Sequence, residues 1–234
     1  MFQKRGMGVQ KPFQICDRVY LVGGPETTDR RDCCVYLVDG GSELALIDAG
    51  LGSSCKLIIE NIKKLGLDVS LLRYVIVTHG HIDHIGGLHY FRNLGAKIAC
   101  HELESGAVSE GVPELTAAWY YSVEYKPVAV DIAFSGASQD IAIGDIILHC
   151  PLTPGHTPGG ISPYADIKGT RILFGQDIHG PFNQTWGSDM KQWKNSMKLL
   201  LNLKADILCE GHFGVYEPKG KVQEYIESYL KRFS

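Results

Sequence analysis

The chain has 234 residues, 44% of them hydrophobic and 21% charged, with a formal net charge of −3. That is ordinary for a folded globular protein able to bury a substantial core, and no basic field covers the chain, so a nucleic-acid partner is not expected. No stretch approaches the roughly 18 uninterrupted apolar residues of a membrane span, and Met1–Phe13 lacks the apolar run of a secretory signal.

Taken in chain order, Val19–Val22, Cys33–Asp39 and Glu43–Asp48 read as strands, with Gly40-Gly41 as a hairpin turn. Ser53 or Ser54 then opens a helix with Leu57, Ile58, Ile62 and Leu65 on one stripe and Gly66 as its stop. Tyr74–Thr78 is a short buried strand, a helix is expected after His84, and Lys97–Cys100 is another strand. The segment from His101 to Lys126 is helical in character. Val128–Phe134 and Ile141–Cys150 read as strands, the second broken at Gly144-Asp145. Ile161–Ile167 and Arg171–Phe174 form a hairpin through Lys168-Gly169. Ser188–Leu203 is an amphipathic helix, Ala205–Cys209 a strand, and Lys219–Phe233 a closing helix. Each half thus runs from strands into helices, which predicts two packed sheets with helices outside, an α/β layered sandwich. No linker divides the chain. Residues 1–234 are expected to form one domain, with a helical insert at about 101–126 and a closing helix at about 219–233.

The seven cysteines are scattered, odd in number and without a CxxC pair. This pattern predicts reduced thiols and a cytoplasmic protein, and gives no structural zinc ribbon.

The densest chemical signal is Val77-Thr78-His79-Gly80-His81-Ile82-Asp83-His84. Four potential metal ligands, His79, His81, Asp83 and His84, follow a buried strand. Strand alternation puts His79 and His81 on one side, and the turn into a helix brings Asp83 and His84 beside them. Imidazole and carboxylate suit zinc, iron or manganese. Gly80, Gly86 and Gly87 are expected to let the backbone pass close to a metal.

This segment resembles the His-x-His-x-Asp-His signature of the metallo-β-lactamase superfamily, and the superfamily's remaining motifs follow in order. Leu46-Ile47-Asp48-Ala49-Gly50 is similar to the first motif, Thr153–Gly159 to the third, Phe174-Gly175-Gln176-Asp177 to the fourth and Glu210-Gly211-His212 to the fifth. The resemblance implies a four-layer αββα sandwich binding two divalent metal ions, zinc by default, with iron or manganese acceptable. It implies His79, His81 and His156 on the first ion, Asp83, His84 and His212 on the second, and Asp177 bridging. Asp48 would orient a ligand from behind. Asp83 and Asp177 would be the catalytic carboxylates.

Two such cations, two carboxylates and a bridging hydroxide leave a formal charge of about +1, which favours an oxyanion. The ions make hydroxide available near neutral pH. No protein nucleophile is then needed, and none is apparent, since the chain has no Gly-x-Ser-x-Gly elbow and no Cys–His arrangement.

Within the superfamily, the chain looks like a compact glyoxalase II-like or lactonase-like member acting on a small ester, lactone, thioester or phosphoester. Only 22 residues follow His212, which weakens a specific glutathione-thioester reading. A mono-iron, persulfide dioxygenase-like oxidoreductase is the alternative, although Gly180-Pro181-Phe182-Asn183 stands where its Gly-Arg-Thr-Asp stretch would be expected. The partner expected is a small-molecule substrate. Trp119, Tyr120 and Tyr121 in the insert are expected to cover the metals and set substrate preference while leaving metal binding alone. His101 is expected to pack behind the site. His179 could line it, while His89 and His149 read as structural or surface residues.

Overall fold

The computed structural model describes residues 10–234, so the reading of Met1–Phe13 lies outside the described residues apart from Gln10 to Phe13. One sheet has seven strands in sequence order. They are β1 Phe13–Cys16, β2 Val19–Gly23, β3 Val35–Asp39, β4 Leu44–Ile47, β5 Leu72–Ile76, β6 Lys97–His101 and β7 Ile132–Phe134. Hairpins join β1 to β4 antiparallel, whereas β4 to β7 pair parallel, each reached by a crossover over the sheet. The other sheet comprises β8 Ser138–Ile143, β9 Ile146–Pro151, β10 Tyr164–Ile167, β11 Thr170–Phe174, β12 Ile207–Glu210 and β13 Gly214–Tyr216. Its order is β13-β12-β11-β10-β9-β8, and β11 pairs parallel with β12 across a helical crossover.

Strand alternation explains the layering. In β3, Tyr36 and Val38 face the other sheet, whereas Val35 and Leu37 face the helices α1 Cys55–Lys64 and α3 Leu88–Asn93. The second sheet does the same, with Ile207 and Cys209 turned inward and Leu208 packed under α6 Met190–Leu203 and α7 Lys219–Arg232. Strands buried on both faces read as continuous apolar runs, and these do. The result is the expected four-layer αββα sandwich.

Several element boundaries differ from expectation. The helix foreseen after His84 begins before it, as α2 Ile82–Ile85, and stops at Gly86-Gly87 before α3. Those two glycines pack backbone on backbone: a Cβ there would sit 2.1 Å from Leu51 O or 2.2 Å from Ala49 O. Close packing, not approach to a metal, explains them. β7 is shorter than Val128–Phe134 because Val128 N–H donates to Val108 O at 3.1 Å, outside the sheet. The insert is a chain of short turns, including α4 Pro113–Thr116 and α5 Ala118–Tyr121, each ended by a left-handed residue, Ala117 and Ser122. β1 and β13, four and three residues long, were not foreseen. All seven cysteines are free. Among the described residues no helix is long and apolar enough to cross a membrane.

Candidate metal centre

The motif residues lie just beyond the C-terminal ends of strands from both sheets. Asp48 follows β4, His79 follows β5, His156 follows β9, Asp177 follows β11 and His212 follows β12. Such ends form the crevice where open α/β sheets bind ligands. Backbone bonds tie the two sheets together here: Cys34 N–H donates to Gly211 O at 2.6 Å and Ile161 N–H to Thr78 O at 2.9 Å.

All seven expected ligands are brought together, and six of them are buried, with His212 partly exposed. His79 Nε2 and His156 Nε2 stand 3.1 and 2.9 Å from His81 Nδ1. Ligands at 2.0–2.1 Å around a tetrahedral ion stand roughly 3.3 Å apart, so this spacing fits one cation. Burial and the neighbouring imidazoles hold His79 and His81 well below the usual histidine range. Burial is also the main cause that brings His156 down to about 4, against the opposing pull of Asp177. These three rings are therefore neutral at pH 7, the form that ligates metal.

The second group is charged. Asp83, His84 and His212 also present ligand atoms within 4.8 Å of one another, and His79, His84 and Asp177 link the two groups. Burial alone would raise Asp83, but His84 and His212 bring it down to about 2. Burial likewise opposes protonation of His212, yet Asp177 and Asp83 push it up to about 10. His84 is held well above its usual range, against burial, by the carboxylates of Asp177, Asp48 and Asp83. Asp177 lies between the groups. One oxygen is 3.3 Å from His84 Nε2; the other is 3.3 Å from His212 Nε2 and 3.7 Å from His156 Nε2. Its Oδ1 is buried without a hydrogen-bond partner, as expected of an oxygen awaiting a cation. Gly211 is required beside it, since a Cβ would fall 2.2 Å from that oxygen.

Asp48 sits behind the site. It accepts Thr78 N–H at 2.7 Å and the Thr78 hydroxyl at 2.8 Å, and its Oδ2 lies 2.8 Å from His84 Nδ1. That contact leaves His84 Nε2 facing the other ligands. Asp48 holds φ +62°, a strained conformation for a non-glycine residue.

A cavity of about 670 Å³ opens onto this cluster, lined by His81, Asp83, Asp177 and His212 together with Tyr120, Tyr121, Trp186 and Phe213. Tyr120 is 70% and Trp119 58% exposed. Trp186 packs edge-on against His81 with centroids 4.6 Å apart, while Trp193 is core. His179 lines the cavity and pairs with Glu210 at 2.8 Å. His101 is buried beside Gly136 O; His89 is exposed against Asn93, and His149 pairs with Asp140.

Sequence reasoning missed three contacts. Tyr121 donates its hydroxyl to Asp83 Oδ2 at 2.9 Å. Glu104, wholly buried, accepts Gly80 N–H at 2.8 Å and Gly159 N–H at 2.7 Å. Cys33 lies against Asp48 and His84, its thiol pushed up by burial. The insert is thus in contact with the metal-site loops through Glu104 and Tyr121.

A family model described as the metallo-beta-lactamase superfamily matches residues 28–212. The chain is 27% identical over 201 residues to the beta-lactamase-like protein 2 homolog of Caenorhabditis elegans, covering 84% of this chain and 61% of that protein. It is 28% identical over 153 residues to a hydroxyacylglutathione hydrolase of Pseudomonas putida, covering 65% of this chain and 44% of the relative. The chain therefore spans about half the length of these curated relatives. Among solved structures, a metallo-beta-lactamase of Cronobacter sakazakii superposes with a TM-score of 0.82 at 22% identity, covering 97% of this chain and 94% of that one.

Proposed function

The chain belongs to the metallo-β-lactamase superfamily, and from that premise we propose that it is a binuclear metal-dependent hydrolase of a small ester, lactone, thioester or phosphoester. The observation that carries the proposal is the pair of adjoining ligand groups, one of three neutral histidines and one of Asp83, His84 and His212, with Asp177 between them. Divalent cations held there, zinc by default, would supply Lewis acidity and make hydroxide available near neutral pH.

The chain's own residues supply the rest. His79, His81 and His156 would hold one cation and Asp83, His84 and His212 the other. Asp177 would screen the repulsion between them. Asp48 fixes the ring of His84, and Tyr121 fixes the carboxylate of Asp83. The aromatic side chains around the cavity offer apolar surface to a substrate, and a volume of about 670 Å³ suits a small molecule. A hydroxyacylglutathione hydrolase among the relatives supports including thioesters.

Metal analysis of the purified protein, followed by a panel of chromogenic esters, lactones, thioesters and phosphodiesters, tests the proposal. Two divalent ions per chain with turnover of one substrate class are expected. One iron per chain with oxygen uptake on a sulfur substrate would replace this reading with the dioxygenase one.

A further inference from the structure

The insert between β6 and β7 is fastened to the metal-site loops at two places, and each place serves a different ligand group. At its start, Glu104 accepts N–H from Gly80, which lies between His79 and His81, and from Gly159, three residues after His156. One buried carboxylate thus clamps both loops that carry the three-histidine group. The fit is tight: a Cβ on Gly80 would lie 2.3 Å from Ala107 Cβ and 2.8 Å from Glu104 Oε2, and one on Gly159 would lie 2.8 Å from Glu104 Cγ. At its far end, Tyr121 donates to Asp83 Oδ2, the same oxygen that stands 3.2 Å from His212 Nε2. Between the two anchors, Ala118 and Tyr121 pack on Leu51 and on Ile82, the neighbour of Asp83.

We infer that the insert is a positioning element for the metal centre, with Glu104 governing the three-histidine position and Tyr121 governing the Asp83–His84–His212 position. This rests on the two-metal reading above. The physical reason is preorganisation. Glu104 accepts two N–H groups on two separate loops, so it fixes the distance between His156 and the other two histidines. Without it, two buried N–H groups lose their acceptor and the loops are free to part. Tyr121 donates its hydroxyl to Asp83 Oδ2 and so sets the carboxylate's rotation. Groups that orient metal ligands in this way typically change metal affinity by 10- to 100-fold when removed.

The test uses the full chain stripped of metal and titrated with Zn²⁺ against a chromogenic chelator, with Co²⁺ absorption as the spectroscopic readout of each position. His156→Ala and His212→Ala assign the two binding steps. Glu104→Gln is expected to weaken the three-histidine step by about 10- to 100-fold and leave the other within about threefold. Tyr121→Phe, which removes only a hydroxyl, is expected to do the reverse and to alter only the Co²⁺ band of the second position. A Glu104 that merely fills the core would instead lower the melting temperature and weaken both steps alike. A Tyr121 that merely lines the cavity would change KM with both metal steps intact. Either result overturns the inference. Should Glu104→Gln not fold, Glu104→Asp, which keeps the charge but shortens the reach, replaces it, and Tyr121→Phe with two unchanged steps is by itself sufficient to refute. Wild-type protein that binds fewer than two ions overturns the two-metal reading and this inference together, whereas two ions with unselective variants overturns the inference alone.

Discussion

The two ligand groups share one crevice and similar side chains, yet they hold their protons differently. The three-histidine group contains no carboxylate of its own; its rings are neutral because burial and mutual repulsion exclude protons, with His156 down at about 4. The other group sets His84 and His212 against Asp83 and Asp177, and the carboxylates keep protons on the imidazoles, with His212 up at about 10. One group is thus arranged for a cation before any arrives, while in the other protons occupy the place of the cation's charge.

The largest effect is expected from removing Asp177, the residue shared by both groups. Asp177→Ala takes one counter-charge from His84 and His212, leaving them Asp48 and Asp83, and would remove the carboxylate from between the two proposed cations. Metal content should fall to one per chain or none, and kcat by roughly 10³-fold or more, the scale of several kcal/mol of transition-state stabilisation. Elemental analysis and steady-state kinetics on the variant check this. Two ions with normal kcat would mean that Asp177 bridges nothing.

The proton difference can be measured directly. At pH 7 the first equivalent of Zn²⁺ should bind with almost no proton release, because His79, His81 and His156 are already neutral. The second should displace protons from His84 and His212, so its affinity should rise by up to about 100-fold per pH unit if both are lost. Calorimetry in buffers of different ionisation enthalpy reads the number. The same groups set the pH dependence of the metal-free fold. Between about pH 6.5 and 4 the unfolded chain protonates His156 and the folded chain does not, so stability falls as pH falls across that window. The His212 contribution is fully present below about pH 6.5 and is lost as pH rises toward about 10. As far as these two groups decide it, metal-free protein melts highest near pH 6.5. Equal proton release at both steps would erase the distinction between the groups.

A smaller effect is expected from the support behind one group only. Asp48→Asn keeps the shape but loses the charge facing His84 Nδ1. Affinity at the second position should drop about 10- to 100-fold while the three-histidine position holds. Equal loss at both positions would mean that Asp48 supports the loops at large, through Thr78, and not His84.

How much of this was legible in the sequence follows the same line. His79, His81, Asp83 and His84 are adjacent in the chain, so their convergence is local geometry. His156, Asp177, His212 and Asp48 sit in motifs whose order matches a known pattern, and the strands bring them together. The αββα layering was readable because central strands such as β3, β4 and β12 are apolar runs buried on both faces. Glu104 and Tyr121 carry no such signal. The backbone donors that Glu104 meets are 24 and 55 residues away, and Tyr121 meets Asp83 across 38 residues. Glu104 shares its short helical turn with Glu102, nothing in that turn reveals which of the two is buried, and the insert's turns are too short to set a clear period.

The weakest expected effect concerns the rim, which belongs to neither ligand group. Trp119 and Tyr120 pack with their rings tilted and centroids 5.0 Å apart, and both are largely exposed in the insert, Tyr120 lining the cavity. Exposed side chains away from special contacts alter stability by less than about 0.5 kcal/mol when replaced. Trp119→Ala and Tyr120→Ala should therefore leave the melting temperature and both metal steps almost unchanged. Trp193→Ala, which empties a buried site, should cost about 3–5 kcal/mol. What the rim variants should change is selectivity. An aromatic contact contributes about 0.5–1.5 kcal/mol beyond area burial, which is roughly a two- to tenfold change in kcat/KM. The loss should appear for substrates with long acyl or aromatic groups and be absent for acetyl substrates too short to reach the rim. Relative kcat/KM across an acyl-length series, measured alongside metal binding on the same variants, separates the cases. Altered metal binding in Trp119→Ala would extend the positioning role of the insert to its exposed tip, and flat selectivity in both variants would leave the rim with no part in substrate choice.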